Sequence, residues 1–224
     1  MPEADFVAMQ QSVVEGAPER ARELARQALE AGAGAAEVLE QGFLAGIREV
    51  GTQYAQGKMF LPDMMAAAEA MKAAVGVLDV AFLAAGENRP AAGTVVLGTT
   101  KGDIHEIGKA LVGTLLSANG FRVHDLGVDV AAEVFAEKAR ELGADIVGVS
   151  ALLTTTMQGQ RKVVEALERA GLRPQVKVIV GGAPVTRRWA EEIGADGFGK
   201  DAFSSVALAR GLLNGHAAVT AGGK

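Results

Sequence analysis

The sequence of 224 residues contains no cysteine and only three histidines. The absence of cysteine excludes disulfides, thiolate metal ligands and a cysteine nucleophile. Three histidines are also too few for a metal site built mainly from imidazoles. A metal in this protein would therefore have to bring most of its own ligands.

Positive charge and aromatic residues are scarce as well. The chain has 22 basic against 27 acidic residues, a formal net charge of -5, and 4% aromatic residues. Nucleic-acid-binding proteins usually have an excess of basic residues, and this chain does not, so we expect no nucleic-acid partner. The N-terminal segment is acidic and polar, and no apolar run is long enough to cross a bilayer. We expect no membrane partner and a cytoplasmic location.

The first part of the chain, up to about residue 86, has a helical pattern. Apolar residues such as Leu39, Phe43 and Ile47 recur at intervals of three or four, which places them on one helix face. Pro62 and Asp63 suit the first turn of a further helix. With two shorter amphipathic segments at 3–15 and 18–31, the pattern predicts a four-helix bundle over residues 1–88.

The pattern changes after the Gly/Pro-containing linker at 86–93. Five short runs rich in β-branched or small residues alternate with helical segments. They lie at 94–100, 121–127, 145–152, 176–183 and 196–199. This alternation predicts a five-stranded parallel sheet in a Rossmann-like (flavodoxin-like) α/β domain over residues 92–215, followed by a flexible tail at 216–224. In its first helix, Ile107, Leu111, Val112, Leu115 and Leu116 share one face.

Chemically useful residues follow the predicted strands. Asp103, His105, Ser150 and the pair Gly181-Gly182 lie at or just after strand ends, where open parallel sheets bind ligands. Structural readings remain open: Asp103 suits a helix cap with Glu106 at capping-box spacing, and a histidine before a helix is often only a surface residue. Asp103 as the phosphate acceptor of a receiver-like domain is a third alternative.

Several other chemistries lack their motifs. The first strand is not followed by G-x-G-x-x-G, and the chain has no G-x-x-x-x-G-K-[ST]. The sequence therefore predicts no loop that binds the phosphates of a nucleotide. Ser150 in "GVSALL" does not form the nucleophile elbow of a hydrolase. A histidine paired with a carboxylate resembles instead a metal ligand held by its outer shell.

The stretch "GDIHEIG", with "SAL" and "GGA" further on, resembles the signature of cobalamin-binding domains that hold the cofactor base-off, with histidine as the lower ligand of cobalt. Together with "YAQGKMFLPDMM" in the bundle, the chain is similar to the corrinoid proteins of methyltransferase systems and to the cobalamin-binding module of methionine synthase. One departure is Ala110, where many relatives have asparagine.

The resemblance implies a cobalamin or another corrinoid, and a role for each matching residue. His105 is the implied cobalt ligand; Asp103 accepts a bond from its other nitrogen, and Ser150 donates to Asp103 in turn. Three bundle residues, Phe60, Met64 and Met65, are the implied shield of the upper corrin face. The remaining implied contacts with the cofactor and its nucleotide tail are Gly102, Glu106, Ile107, Gly108, Leu152, Thr154, Gly181 and Gly182.

The resemblance also implies partners. A substrate-specific methyltransferase loads the methyl group, an acceptor methyltransferase removes it to a thiol or pterin, and a reductive activase restores the cofactor. The chain itself is then a methyl-carrying subunit. Two alternatives within the resemblance are a cobalamin-based sensor or light-responsive regulator and the small subunit of an adenosylcobalamin mutase. His124, His216 and Trp189 have no such context, and we expect structural or surface roles for them.

Overall fold

The computed structural model describes residues 4–86 and 90–214. The chain divides into two compact units: one extends to Pro90, and the other begins at Ala91, with the turn at Ala118–Gly120 grouped with the first. The predicted boundary at residue 88, the predicted tail at 216–224 and His216 lie outside the described residues.

The first unit is helical. Its segments are α1 (Phe6–Val14), α2 (Pro18–Glu30), α3 (Ala35–Glu37), a π-helical segment (Val38–Phe43), α4 (Leu44–Ala55) and α5 (Leu61–Ala84). Because α3, the π-helical segment and α4 follow one another without a break, the described residues 4–86 form four helical rods. The predicted helical bundle is confirmed.

Local chemistry explains where the helices of this unit begin. The Asp5 carboxylate accepts a hydrogen bond from the backbone N–H of Ala8 (2.9 Å) at the start of α1. The first turn of α5 contains Pro62, and the Asp63 carboxylate accepts the N–H of Phe60 (2.7 Å). Side chains that the helical spacing predicted to face inward are buried, including Phe43 and Ile47.

Two glycines let α1 approach the third rod closely. A Cβ on Gly42 would lie 2.7 Å from the Met9 sulfur, and one on Gly46 would lie 2.8 Å from the Gln10 carbonyl oxygen. The π-helical segment contributes to the same contact, because the Gln10 side-chain amide donates to the Gln41 carbonyl (3.0 Å).

The second unit alternates strands and helices. In chain order it contains β1 (Thr94–Thr99), α6 (Ile107–Ala118), β2 (Arg122–Asp125), α7 (Ala132–Leu142), β3 (Ile146–Ser150), α8 (Gln158–Arg169), β4 (Lys177–Gly181), α9 (Arg187–Glu192), β5 (Gly197–Gly199) and α10 (Ala202–Leu213). All pairings are parallel, and the strand order is β2-β1-β3-β4-β5. The predicted five-stranded parallel fold is confirmed, including its flavodoxin-like strand order.

The two faces of the sheet differ in packing. On one face, alternate strand residues such as Val147 and Val178 pack with Phe135 of α7, Leu167 of α8 and Ala190 of α9 in a continuous apolar core. The opposite face carries Leu97, Gly148 and Ile179 and borders an open cleft between α6 and α10. In the part of the chain described here, no helix has both the length and the apolar character needed to cross a membrane.

We predict that Gly46→Ala destabilises the first unit by about 1–3 kcal/mol, because the new methyl group meets the backbone of α1. Gly51→Ala, five residues later in the same helix, is the matched control, since a Cβ there meets nothing within 4 Å. The control should be neutral or stabilise by up to about 1 kcal/mol through helix propensity. Urea unfolding of both variants measures the difference, and equal stabilities would contradict the close approach.

Candidate functional site

The site lies where the strand order reverses direction. Strands β1 and β3 are adjacent, with Thr99 paired to Ser150 at their carboxyl ends. The loop after β1 carries Asp103 and His105, and the loop after β3 carries Leu152–Thr156. A bond from the Thr100 N–H to the Ser150 carbonyl (3.0 Å) continues the pairing into the loops. The topology therefore brings together two segments that are about 50 residues apart in sequence.

Asp103 is the centre of this site. Its side chain is fully buried. One carboxylate oxygen accepts the Leu152 N–H and the Thr156 hydroxyl, both at 2.7 Å. The other accepts the His105 backbone N–H (3.1 Å) and is 2.7 Å from His105 Nδ1. Both oxygens are thus fully engaged.

These bonds determine the charge of the buried group. Burial by itself would raise the pKa of Asp103, but the hydrogen bonds from Thr156, Leu152 and His105 outweigh it and hold the pKa well below its ordinary value of 3.8. The group is therefore a carboxylate at neutral pH. A buried carboxylate held in this way can orient a neighbouring imidazole without exchanging a proton with it.

The carboxylate also fixes the tautomer of His105. An ionised carboxylate has no proton to donate, so the bond to His105 requires the hydrogen to be on Nδ1. The other nitrogen, Nε2, then has a free lone pair when the imidazole is neutral. Because the His105 side chain is 46% exposed, this lone pair is available to a ligand.

The structure corrects one expectation about Asp103 and excludes two alternatives. The hydroxyl that bonds its carboxylate belongs to Thr156 rather than Ser150, because the loop after β3 turns the buried Thr156 inward while Ser150 remains at the strand end. Asp103 is also not a helix cap, since α6 begins at Ile107 and Glu106 accepts the first helical bond, from Ala110. A buried, fully bonded carboxylate is equally unsuited to accept a phosphate.

A deep cleft opens beside His105. It has a volume of about 980 Å³ and runs along the sheet face between α6 and α10, reaching back to Val95 and Ile146 near the strand beginnings. Most of the predicted site residues of this unit line it: His105, Glu106, Ile107, Gly108, Ser150, Leu152, Gly181 and Gly182. Gly102 and Asp103 lie behind His105, and Thr154 is exposed on the loop outside the lining.

The cleft also explains an unburied stripe on α6. The sequence pattern grouped Ile107 with Leu115 and Leu116, but only the last two are buried, and Ile107 is 91% exposed. Leu111 and Val112 are half-buried and line the cleft. Part of the apolar face of α6 is therefore exposed to the cleft.

Glycine is required at the end of β4. Gly182 has a φ of +125°, and a Cβ there would lie 1.8 Å from the Ala151 carbonyl oxygen. On Gly181 a Cβ would lie 3.1 Å from the Gly199 carbonyl oxygen. Gly182 thus lets the segments after β3 and β4 lie close together at the mouth of the cleft, and Gly181 lets β4 lie close to Gly199 of β5.

Sequence reasoning missed a polar support beneath this mouth. The buried Gln160 side-chain amide donates to the carbonyls of Val149 and Gly181, both at 3.0 Å, and its oxygen accepts the Trp189 indole N–H (2.9 Å). Trp189 is thus structural, as expected. A single glutamine or lysine on a helix gives no sequence signal of such contacts. Lys109, buried in the cleft wall and ion-paired with Asp125, was missed for the same reason.

The three bundle residues have different environments. Phe60 is 67% exposed and Met65 39% exposed, whereas Met64 is 2% exposed. Only the first two therefore offer side-chain surface near the beginning of α5. The shielding role implied for all three stays a prediction.

Comparison with known proteins agrees with this geometry. Residues 93–207 match the family described as the B12 binding domain, and residues 7–79 match a second family with the same description. The chain is 51% identical to dimethylamine corrinoid protein 2 of Methanosarcina acetivorans, over 80% of this chain and 83% of that protein. The chain belongs to the B12-binding corrinoid proteins of methyltransferase systems.

Other relatives extend the similarity over both units. This corrinoid protein is 48% identical to trimethylamine corrinoid protein 2 of Methanosarcina mazei, over 90% of this chain and 93% of that protein. Among solved structures, it matches a methanol:cobalamin methyltransferase complex from Methanosarcina barkeri with a TM-score of 0.84 and 28% identity, over 96% of this chain and 81% of the other. A cobalamin-binding protein from Desulfitobacterium hafniense matches with a TM-score of 0.75 and 31% identity, over 93% of this chain and 98% of the other.

We predict that Thr156→Val raises the pKa of Asp103 and lowers the free energy of unfolding at pH 7 by about 1.5–3 kcal/mol, the value of a hydrogen bond to a charged group. Thr154→Val, at an exposed position in the same loop, should change stability by less than about 0.5 kcal/mol. Urea unfolding tests the stability, and NMR titration of the Asp103 carboxyl tests the pKa.

The pH dependence of this effect has a definite sign. Because the pKa of Asp103 is depressed in the folded state, its stabilisation is present above the ordinary value of 3.8 and is lost as the pH falls below that value. The difference between wild type and Thr156→Val should therefore be largest at neutral pH and should shrink only when the pH falls through the raised folded-state pKa of Asp103 in the variant, because the unfolded state is common to both proteins. A difference that stays constant below the folded-state pKa measured for the variant would show that the hydroxyl does not act through the carboxylate.

We predict that Gly182→Ala destabilises the second unit by roughly 3 kcal/mol, through backbone strain together with overpacking against Ala151. The control is Gly171→Ala, where φ is +67° and a Cβ meets nothing within 4 Å. It should lose only about 1–2 kcal/mol, the cost of the left-handed conformation alone. Thermal unfolding of the two variants, compared with wild type, measures the excess.

Proposed function

We propose that this corrinoid protein holds its cofactor base-off, with His105 as the lower cobalt ligand, and carries a methyl group between two methyltransferases. The observation that carries the proposal is the position of His105. Its Nδ1 is tied to a buried carboxylate, and its Nε2 is free at the mouth of a cleft of about 980 Å³. That arrangement suits a single axial ligand beside a compartment for a displaced nucleotide tail.

The residues present fit such a cofactor. In the described ranges, no group of three or more His, Asp or Glu side chains is placed to hold a bare metal ion. A corrinoid would bring most of the ligands of its own cobalt, and His105 would supply one nitrogen from the protein. The apolar walls of the cleft, which include Leu97 and Ile179, suit an aromatic base.

Each residue then has a physical task. The bound corrinoid supplies the cobalt that accepts and releases the methyl group. Asp103 keeps the hydrogen of His105 on Nδ1 and directs Nε2 outward, while Thr156 and the Leu152 N–H keep Asp103 ionised. The N–H donors of the loop after β3 thereby influence how strongly His105 can act as a ligand.

The relatives support a methylamine as the methyl source. The proteins of similar sequence are named dimethylamine and trimethylamine corrinoid proteins, at 48–51% identity over most of their length. The methanol:cobalamin methyltransferase complex is more distant, at 28% identity. The proposed partners are a methyltransferase specific for a methylamine, a methyltransferase that passes the group to a thiol or pterin acceptor, and a reductive activase.

The ligand assignment predicts a spectroscopic difference between two histidine variants. Wild type should bind methylcobalamin one to one, with the visible spectrum of a histidine-ligated corrinoid. His105→Gln should lose that spectrum and bind about 10–100-fold more weakly. His124→Gln, in β2 of the same unit, should behave as wild type. Failure of wild type to bind, or identical spectra for all three proteins, would refute the axial-ligand assignment.

The proposed donor predicts a partner preference. Mixed with the purified methyltransferases of the dimethylamine, trimethylamine and methanol systems of Methanosarcina, each with its own substrate, the reduced holoprotein should be methylated fastest by one of the two amine enzymes. Methylation is followed by the change in the visible spectrum. A preference for the methanol enzyme would overturn the amine assignment and leave the carrier role intact.

A further inference from the structure

Asp129 contacts the segment that carries Asp103 at three points. Its carboxylate accepts the Gly102 backbone N–H (2.8 Å) and the Lys101 ammonium (3.0 Å). Its own backbone N–H donates to the Asp103 carbonyl (2.9 Å). All three contacts fall on residues 101–103, immediately before and at the carboxylate that orients His105.

Asp129 is itself held firmly. The Thr99 N–H donates to the Gly127 carbonyl and the Val130 N–H donates to the Thr99 carbonyl, both at 3.0 Å, so the chain on both sides of Asp129 is tied to the end of β1. The residue can therefore act as a fixed support for the neighbouring loop.

The backbone of Asp129 has an unfavourable, left-handed conformation. Its φ is +56°, and among the described residues it is the one non-glycine residue with a positive φ. Glycine would adopt this conformation at a lower cost in backbone energy. Unlike glycine, aspartate has a side chain, and its contacts are with Lys101 and Gly102.

The supported segment has few other anchors. Gly102, at φ +83°, is conformationally free without them. Apart from the Asp129 contacts, the Asp103 backbone is fixed by its N–H bond to the Thr100 carbonyl (3.1 Å). The carboxylate of Asp103, however, must meet Leu152, Thr156 and His105 at the same time, which requires its backbone to be placed accurately.

We propose that Asp129 is a positioning residue for the Asp103–His105 pair. Its hydrogen bonds and ion pair with residues 101–103 fix the position of the Asp103 carboxylate, and the carboxylate in turn fixes the position of His105 Nε2. This inference rests on the proposed role of His105 as the axial ligand. Asp129 does not touch the cofactor in this scheme and acts through the loop.

The test uses three substitutions in the chain of 224 residues. Asp129→Gly removes the side-chain contacts with Lys101 and Gly102. Because glycine suits the left-handed backbone, we expect the fold to be retained. Asp129→Asn keeps an oxygen that can accept the Gly102 N–H and should restore most of the wild-type behaviour. Lys101→Met removes only the ion pair, which is exposed and contributes little. Each is also combined with His105→Gln.

The first measurement uses the cofactor-free protein. Amide hydrogen exchange of Gly102 should be at least about tenfold faster in Asp129→Gly than in wild type or in Lys101→Met, since its hydrogen bond is lost. Unchanged protection of Gly102 would show that Asp129 does not hold the loop, whatever the cofactor does.

The second measurement is titration with methylcobalamin, followed by the visible spectrum. Asp129→Gly should bind about tenfold more weakly than wild type and show a smaller histidine-ligated fraction, with Asp129→Asn close to wild type. In the His105→Gln background, Asp129→Gly should change affinity by less than about twofold, because its effect passes through His105.

Two results would separate the possible failures. An equal loss of affinity in both backgrounds, or a full histidine-ligated spectrum in Asp129→Gly, overturns the positioning role while the axial-ligand assignment stands. If wild type does not bind methylcobalamin, or if His105→Gln keeps the wild-type spectrum, the proposed function fails and the positioning inference fails with it.

Discussion

The arrangement of the site depends on one buried negative charge. A carboxylate removed from water is costly unless donors surround it, and Asp103 meets this requirement with donors from the loop after β3 on one oxygen and His105 on the other. The same bonds that satisfy the charge hold two loops together across the junction of β1 and β3. They also leave His105 one orientation and one tautomer. The contacts that stabilise the buried charge are thus the same contacts that orient His105.

The sheet separates stability from binding by using its two faces differently. One face is covered by α7, α8 and α9 and forms a dense core around Val147, Val178 and Leu167. Burial of these side chains stabilises the unit, so the other face can remain open between α6 and α10. On that face the Leu97 side chain lies where a side chain of Gly148 would be, since a Cβ on Gly148 would be 2.7 Å from Leu97 Cδ1. The floor of the cleft is therefore apolar, with Leu97 and Ile179 among its side chains.

Much of the fold and part of the site could be predicted from the sequence, because they follow from the spacing of apolar residues and from short motifs. Helices, strands and the Asp103–His105 pair belong to that class. The partner of Asp103 could not be chosen between Ser150 and Thr156, because both hydroxyls follow β3 and only the path of the loop decides which turns inward. The left-handed backbone of Asp129 also depends on contacts distant in sequence. Ile107 shares a helix face with Leu115, yet whether that face is covered depends on the neighbouring elements.

The Gln160 amide has consequences for how this fold can vary. Both of its N–H groups are used by strand carbonyls and its oxygen by the Trp189 indole, so each polar atom has a distinct partner and one orientation of the amide is allowed. Glutamate has nearly the same shape but would place an anionic oxygen against two carbonyl oxygens. Replacement of Trp189 would likewise leave the amide oxygen without its donor in a buried place. The two positions are thus expected to change together during divergence, and a sequence library built on this scaffold should vary them as a pair.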